Sequence, residues 1–133
     1  MTCGCTRRIF VLAALAAAAT RADAAPNEFV AAALRMKEQA VAAGDQAYGA
    51  VVVRTSEIVG WGPSRVRELG EWIGHAEREA MRDAQRRLAR DVLSDCVMYS
   101  TSRPCSACER VAAQVKLSRM YFGPDAVDAG APR

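Results

Sequence analysis

The chain has 133 residues, 51% of them hydrophobic and 25% charged, with 18 basic against 15 acidic side chains for a formal net charge of +3. That balance suits one soluble domain with a real core and excludes a disordered chain. The basic residues lie at the extreme N-terminus and in one helix where acids accompany them. No basic stripe with interleaved aromatics occurs, so small substrates rather than nucleic acid are the expected partners. The five cysteines and the single histidine do not form the even pattern of a disulfide-stapled secreted domain.

Residues 1–24 read as an address. Arg7 and Arg8 are paired, Ile9 to Ala19 is apolar and alanine-rich, and Ala22-Asp23-Ala24 fits a small-x-small cleavage site. The apolar run falls within the roughly 7–15 residues of a signal h-region. The stretch Thr6-Arg7-Arg8-Ile9-Phe10 resembles the twin-arginine export motif of bacteria. The run is too short to span a bilayer, and no cysteine follows it where a lipid anchor would attach. An exported chain, periplasmic or secreted, with no membrane segment in its mature form is expected. The alternative is a first amphipathic or buried helix of a cytoplasmic protein.

The mature part, expected as a domain over 25–123, opens on a helix capped by Asn27, with Phe29, Val30, Ala33, Leu34, Ala40 and Val41 at helical spacing. Gly44 stops it. Tyr48 to Arg54 and Glu57 to Trp61 are β-rich runs around Thr55-Ser56, which predicts a hairpin. Gly62 to Trp72 mixes Gly, Pro and charges and reads as a loop near a site. A second helix is predicted from about Gly74 to Arg90, with an apolar stripe through Ala76, Ala80, Met81, Ala84 and Leu88. Arg82, Arg86, Arg87 and Arg90, with Glu79 and Asp83, form its solvated face. Cys96 to Ser100 is a third strand, Pro104 opens a third helix, and Arg119 to Phe122 is a fourth strand. Residues 124–133 are predicted to be a flexible tail. The order α-β-β-α-β-α-β, with strands three and four parallel through a right-handed crossover, predicts a three-layer α/β/α sandwich. Its mixed sheet has four to five strands.

Two short motifs carry chemistry: His75-Ala76-Glu77 and Pro104-Cys105-Ser106-Ala107-Cys108. Each falls at a predicted helix start. Cys105 and Cys108 are three apart, so both sulfurs can reach one ion, and the helix N-terminus favours their thiolates. His75 supplies a nitrogen ligand. Three protein ligands leave a tetrahedral position open, the mark of a catalytic zinc. Residues two apart on a helix diverge, so His75 and Glu77 meet at one site only if it lies off the helix end. Glu77 is the candidate proton carrier. Cys96 reads as a buried apolar residue.

Together the motifs match the H-x-E…P-C-x-x-C signature of zinc deaminases. From about Phe29 to Gly123 the chain resembles the cytidine and deoxycytidylate deaminase superfamily, above all bacterial guanine deaminases and tRNA adenosine deaminases. Tyr48-Gly49-Ala50-Val51-Val52-Val53 is similar to the family's P-F-G-A strand. The resemblance implies a zinc ion, a homodimer, and hydrolytic release of ammonia from a nucleobase, nucleoside or nucleotide, with guanine- or cytosine-type substrates favoured. It implies that a backbone carbonyl before the motif, at Gly74, and the amide of Ala76 hold the substrate's amino group. Ser64 stands where the family carries a substrate-binding Asn, Arg103 where it has Glu, and Trp72-Ile73-Gly74 replaces its usual Thr-Ala. These departures bear on substrate identity, not on the metal. Tyr48, Trp61 and Trp72 are candidates to stack on a base or to fill the core. Two alternatives stay open: a thiol–disulfide redox protein using the cysteine pair, and a catalytically inactive zinc-stabilised module, since little chain follows the fourth strand.

Overall fold

The computed structural model describes residues 26–133, so the expected export signal at 1–24 lies outside the described residues. The sheet is built outward from β1 (Gly49–Arg54), whose run Ala50 to Val53 is buried on both faces. Strand alternation sends Ala50 and Val52 to one face and Val51 and Val53 to the other. Thr55 and Ser56 both take positive φ, 48° and 61°, the turn that joins antiparallel strands through two residues. β2 (Glu57–Pro63) then returns beside β1. β3 (Cys96–Ser100) pairs antiparallel with the other edge of β1, and β4 (Arg119–Phe122) pairs parallel with β3.

The final strand corrects the flexible-tail expectation. The chain turns after β4 at Gly123, where φ is +76°, and Val127–Gly130 pairs antiparallel with β4 as β5. Its sequence, V-D-A-G, lacks the alternation and β-branched content that mark a strand. The open backbone edge of β4 supplies the hydrogen bonds instead, and Arg119 pairs with Asp128 across the two strands. The sheet order is β2-β1-β3-β4-β5.

Helices cover both faces, giving the expected three layers. α1 (Pro26–Ala42) lays Phe29, Ala32 and Ala33 on the Val51, Val53 and Tyr99 face. Tyr99 there stacks on Tyr121 with ring centroids 4.9 Å apart. The expected loop between β2 and the second motif contains a short helix, α2 (Val66–Leu69). α3 (Ala76–Leu88) packs Ala76, Ala80, Met81 and Ala84 on the opposite face, and α4 (Ser106–Gln114) adds Ala112 beside Met98 and Met120.

β2 and α3 meet almost backbone to backbone. A Cβ placed on Gly62 would stand 2.1 Å from the Ala76 carbonyl oxygen, and one on Gly60 would stand 2.3 Å from that of Ala80. Asp83 fastens the same contact. It accepts the Trp61 N–H at 3.0 Å and the Arg87 Nε–H at 2.8 Å. The start of α3 is thereby fixed against the sheet.

Gly62→Ala is expected to cost about 1–3 kcal/mol of stability, read as a lowered midpoint of urea unfolding; an unchanged midpoint would show that the helix is free to move off the strand. Burial pushes the Asp83 carboxyl up, but the Arg87 and Arg86 side chains and the Trp61 N–H outweigh it and hold it below the usual Asp range. The sign follows: the folded pKa is depressed, so this stabilisation is complete above the ordinary Asp value and disappears as pH falls through the lower, folded one. Asp83→Asn should flatten the acid limb of stability against pH below about 4. Parallel acid limbs in the two proteins would remove the assignment.

Candidate active site

Both chemical motifs sit at helix starts on the same face of the sheet. His75 is the N-cap residue of α3, and Cys105 that of α4, where its sulfur accepts the Cys108 N–H at 3.5 Å. The helix thus begins two residues later than Pro104, and Cys105 caps it from outside. His75 Nδ1 lies 3.4 Å from Cys108 Sγ and 3.7 Å from Cys105 Sγ. The three ligand atoms all fall within 4.8 Å of one another. One imidazole nitrogen and two sulfurs at this spacing fit a tetrahedral zinc with a fourth side open.

Glu71, which sequence reasoning missed, completes the ligand geometry. Its Oε1 lies 3.2 Å from His75 Nε2. A carboxylate only accepts, so Nε2 carries the hydrogen, and in the neutral ring the Nδ1 lone pair is the atom that faces the sulfurs. Gln46 Nε2 contacts the other Glu71 oxygen at 3.5 Å. The available signal was a carboxylate four residues before the histidine, but the segment is not helical and spacing alone could not place it.

The electrostatics favour a cation. Burial lowers the His75 pKa, but hydrogen bonds to Glu71 and Cys105 and the nearby negative charges reverse this and raise it. Burial raises the Cys105 thiol, yet hydrogen bonds from the start of α4 and from His75 bring it below the usual range. Cys108 is pushed far up by burial, then by the charges of Glu77 and Cys105. Glu77 is 6% exposed, and burial holds its carboxyl above the usual range despite its own backbone N–H and His75. Its Oε2 accepts from Cys108 Sγ at 3.8 Å. Glu77 and Cys108 are buried together with the exposed Cys105 beside them, and so much potential negative charge in one place is unfavourable without a counter-charge.

A cavity of about 860 Å³ opens onto this cluster, lined by Tyr48, Glu71, His75, Ala76, Glu77 and Cys105 together with Gln46, Ala47, Ser102 and Arg103. Ala76, the first residue of α3, and Tyr48, half exposed, are among these lining residues. Gly74 and Ser64 do not line the cavity. The Gly74 carbonyl accepts the Arg65 N–H at 2.8 Å, and a Cβ there would meet Arg65 O at 2.4 Å. Ser64 is buried, and its hydroxyl donates to Asp45 Oδ1 at 2.9 Å. Asp45 also accepts the N–H groups of Val66 and Arg67, so Ser64 belongs to a loop clamp. Trp61 lies away from the cavity under the Arg87 guanidinium, 4.6 Å from its ring centroid.

Removing the Glu71 carboxylate in Glu71→Ala should weaken zinc binding about 10- to 100-fold in competition with a chromophoric chelator. Glu71→Gln, which keeps an acceptor oxygen, should lose less; equal affinity for wild type and Glu71→Ala would deny Glu71 an orienting role.

Comparisons with known proteins agree with this geometry. A tRNA-specific adenosine deaminase of Aquifex aeolicus is 32% identical over 94 residues, 71% of this chain and 62% of its own length. The guanine deaminase of Bacillus subtilis is 28% identical over 82 residues, 62% of this chain and 53% of its own. A tRNA(Ile)-lysidine synthase of Deinococcus radiodurans is 36% identical over 100 residues, 74% of this chain but 17% of its own length. The chain thus spans less than two thirds of these relatives. The crystal structure of the B. subtilis guanine deaminase superposes with a TM-score of 0.68 at 27% identity, covering 72% of this chain and 62% of that one. A structure from a study of tRNA A34 deaminases does so with a TM-score of 0.68 at 26% identity, covering 75% and 79%. The sequence model of the cytidine and deoxycytidylate deaminase zinc-binding region matches residues 23–124, and the chain belongs to that family.

Proposed function

We propose that this chain is a zinc-dependent hydrolytic deaminase that releases ammonia from the exocyclic amino group of a small heterocycle. The substrate is a nucleobase, nucleoside or nucleotide of guanine or cytosine type. The observation that carries the reading is the buried Glu77 carboxyl, above its usual pKa, set beside the His75–Cys105–Cys108 cluster at the floor of a cavity. His75, Cys105 and Cys108 would hold the ion, and zinc bound there supplies a Lewis acid that makes water a nucleophile at neutral pH.

The protein's own groups then handle orientation and protons. A buried carboxyl beside the reacting atoms is placed both to accept and to donate a proton. Glu77 can take one proton from the attacking water at Oε and pass it to the ring nitrogen, then carry the second, from the hydroxyl now on the ring carbon, to the departing amine. The carbon–nitrogen bond breaks, water's oxygen stays on the ring, and ammonia leaves. Tyr48 offers an aromatic wall to a ring, and the Ala76 amide, at the first turn of α3, is a donor not used inside the helix.

A small substrate is supported by the charge pattern. Three of the four arginines of α3 pair with acids, Arg82 with Glu79 and Arg86 and Arg87 with Asp83, while Arg78 donates to the Trp72 carbonyl, and the helix carries no aromatic-interleaved basic stripe for RNA.

Glu77→Gln should retain zinc near one per chain and lose about 10²–10⁴-fold in turnover, measured as ammonia from a panel of bases, nucleosides and nucleotides. A zinc-loaded Glu77→Gln protein with wild-type turnover would end the assigned role.

A further inference from the structure

We propose that Arg103 forms an anion subsite at the rim of the cavity, and that the preferred substrate is an amino-bearing heterocycle carrying a phosphate: a nucleoside monophosphate, over the nucleoside or free base. The proposal deepens the deaminase reading above and rests on it for the position of the ring.

Arg103 shares the cavity with His75, Glu77 and Cys105 and is the one arginine or lysine among its described lining residues. Charge is therefore divided along the cavity. Glu77 is buried at the inner end beside Cys108, and the exposed Glu71 is engaged by His75 and Gln46. A substrate with a neutral amino end and an anionic end has one favourable orientation in such a field, with the amino group toward Glu77 and the anion toward Arg103.

Arg103 is also free of the ion pairs that occupy many of the other arginines. Arg65, Arg82, Arg86, Arg87, Arg90 and Arg119 each pair with a carboxylate. Among the described residues, none pairs with Arg103. Its guanidinium lies over the Phe122 ring, 5.5 Å from the centroid. Phe122 ends β4 and pairs with Ser100 in the sheet. A stacked guanidinium keeps its edge N–H donors for a second partner, and their fork matches phosphate oxygens.

The supporting loop is tied down. The Thr101 N–H donates to Gly49 O at 2.9 Å, the Gly49 N–H donates to Thr101 Oγ1 at 3.1 Å, and Ser100 Oγ donates to Ser102 O at 2.7 Å. Arg103 is followed by the buried Pro104 and the ligand Cys105. Its distance from the reacting end is thereby set by the same loop that delivers a sulfur. The cavity, at about 860 Å³, lies toward the upper end of the roughly 300–1,000 Å³ range of small-molecule sites. It has room for a sugar and a phosphate beyond one ring.

The test compares matched pairs, cytidine with CMP and guanosine with GMP, on the zinc-loaded full chain. The monophosphate should be favoured about 10- to 100-fold in kcat/KM, the range of a charge-assisted hydrogen bond, with most of the difference in KM. Arg103→Glu should collapse that ratio to one or below, and Arg103→Lys should keep part of it. A wild-type ratio of one, a ratio that survives Arg103→Glu, or a tRNA anticodon stem-loop deaminated faster than any mononucleotide would overturn the proposal. Binding separates its failure from that of the deaminase reading. If no heterocycle yields ammonia but calorimetry on the zinc-loaded protein shows monophosphate bound over nucleoside, with the preference lost in Arg103→Glu, the subsite stands and the catalytic reading falls.

Discussion

Two helix N-termini must arrive at one point for this protein to have a site at all. His75 and Cys105 are 30 residues apart in sequence, and each occupies the cap position of its helix. A cap residue lies off the helix axis end, where side chains from two helices can converge and where the free N–H groups favour negative charge. The position of α3 is set by the glycine contacts of β2, where strand and helix backbones touch. That of α4 is set by the parallel crossover from β3 to β4. Both constraints come from sheet geometry rather than from the site itself.

The convergence concentrates groups that repel one another when ionised. Glu77, Cys105 and Cys108 crowd one imidazole, and burial, neighbouring charge or both lift the carboxyl and the Cys108 thiol. A divalent cation resolves this conflict, since it pairs with both sulfurs at once and lowers the cost of a nearby carboxylate. A redox role for the cysteine pair would use neither His75 nor the Glu71 contact that orients it, and family membership points to the metal. The carboxyl left beside such an ion is placed to move protons.

Around this common centre the wall of the cavity is individual. Ser64 does not line it, and its hydroxyl is taken up by Asp45. The clamp formed by Asp45 with Ser64, Val66 and Arg67 joins the turn after α1 to the start of α2. The residues that do line the space include Tyr48, Gln46, Ser102 and Arg103. The outer sheet edge is closed by β5, so the strand beneath Phe122 and Arg103 is not a free edge.

By itself the sequence determined the order of the first four strands and the three longer helices, the layers, and the zinc-binding character of the centre. Tyr48 to Arg54 reads as a β-rich run, and His75-Ala76-Glu77 with Pro104-Cys105-Ser106-Ala107-Cys108 points to a zinc ion, three candidate ligands and a carboxyl at two helix starts. Tertiary structure alone decided what lies between distant segments. It drew V-D-A-G into the sheet through backbone bonds that no side-chain pattern encodes, turned Ser64 away to Asp45, and set Glu71 against His75 across a non-helical loop. Local periodicity reports which face a residue shows to the core. The partner it meets there depends on how separate elements stack, and that is fixed only when close contacts such as those of Gly60 and Gly62 are made.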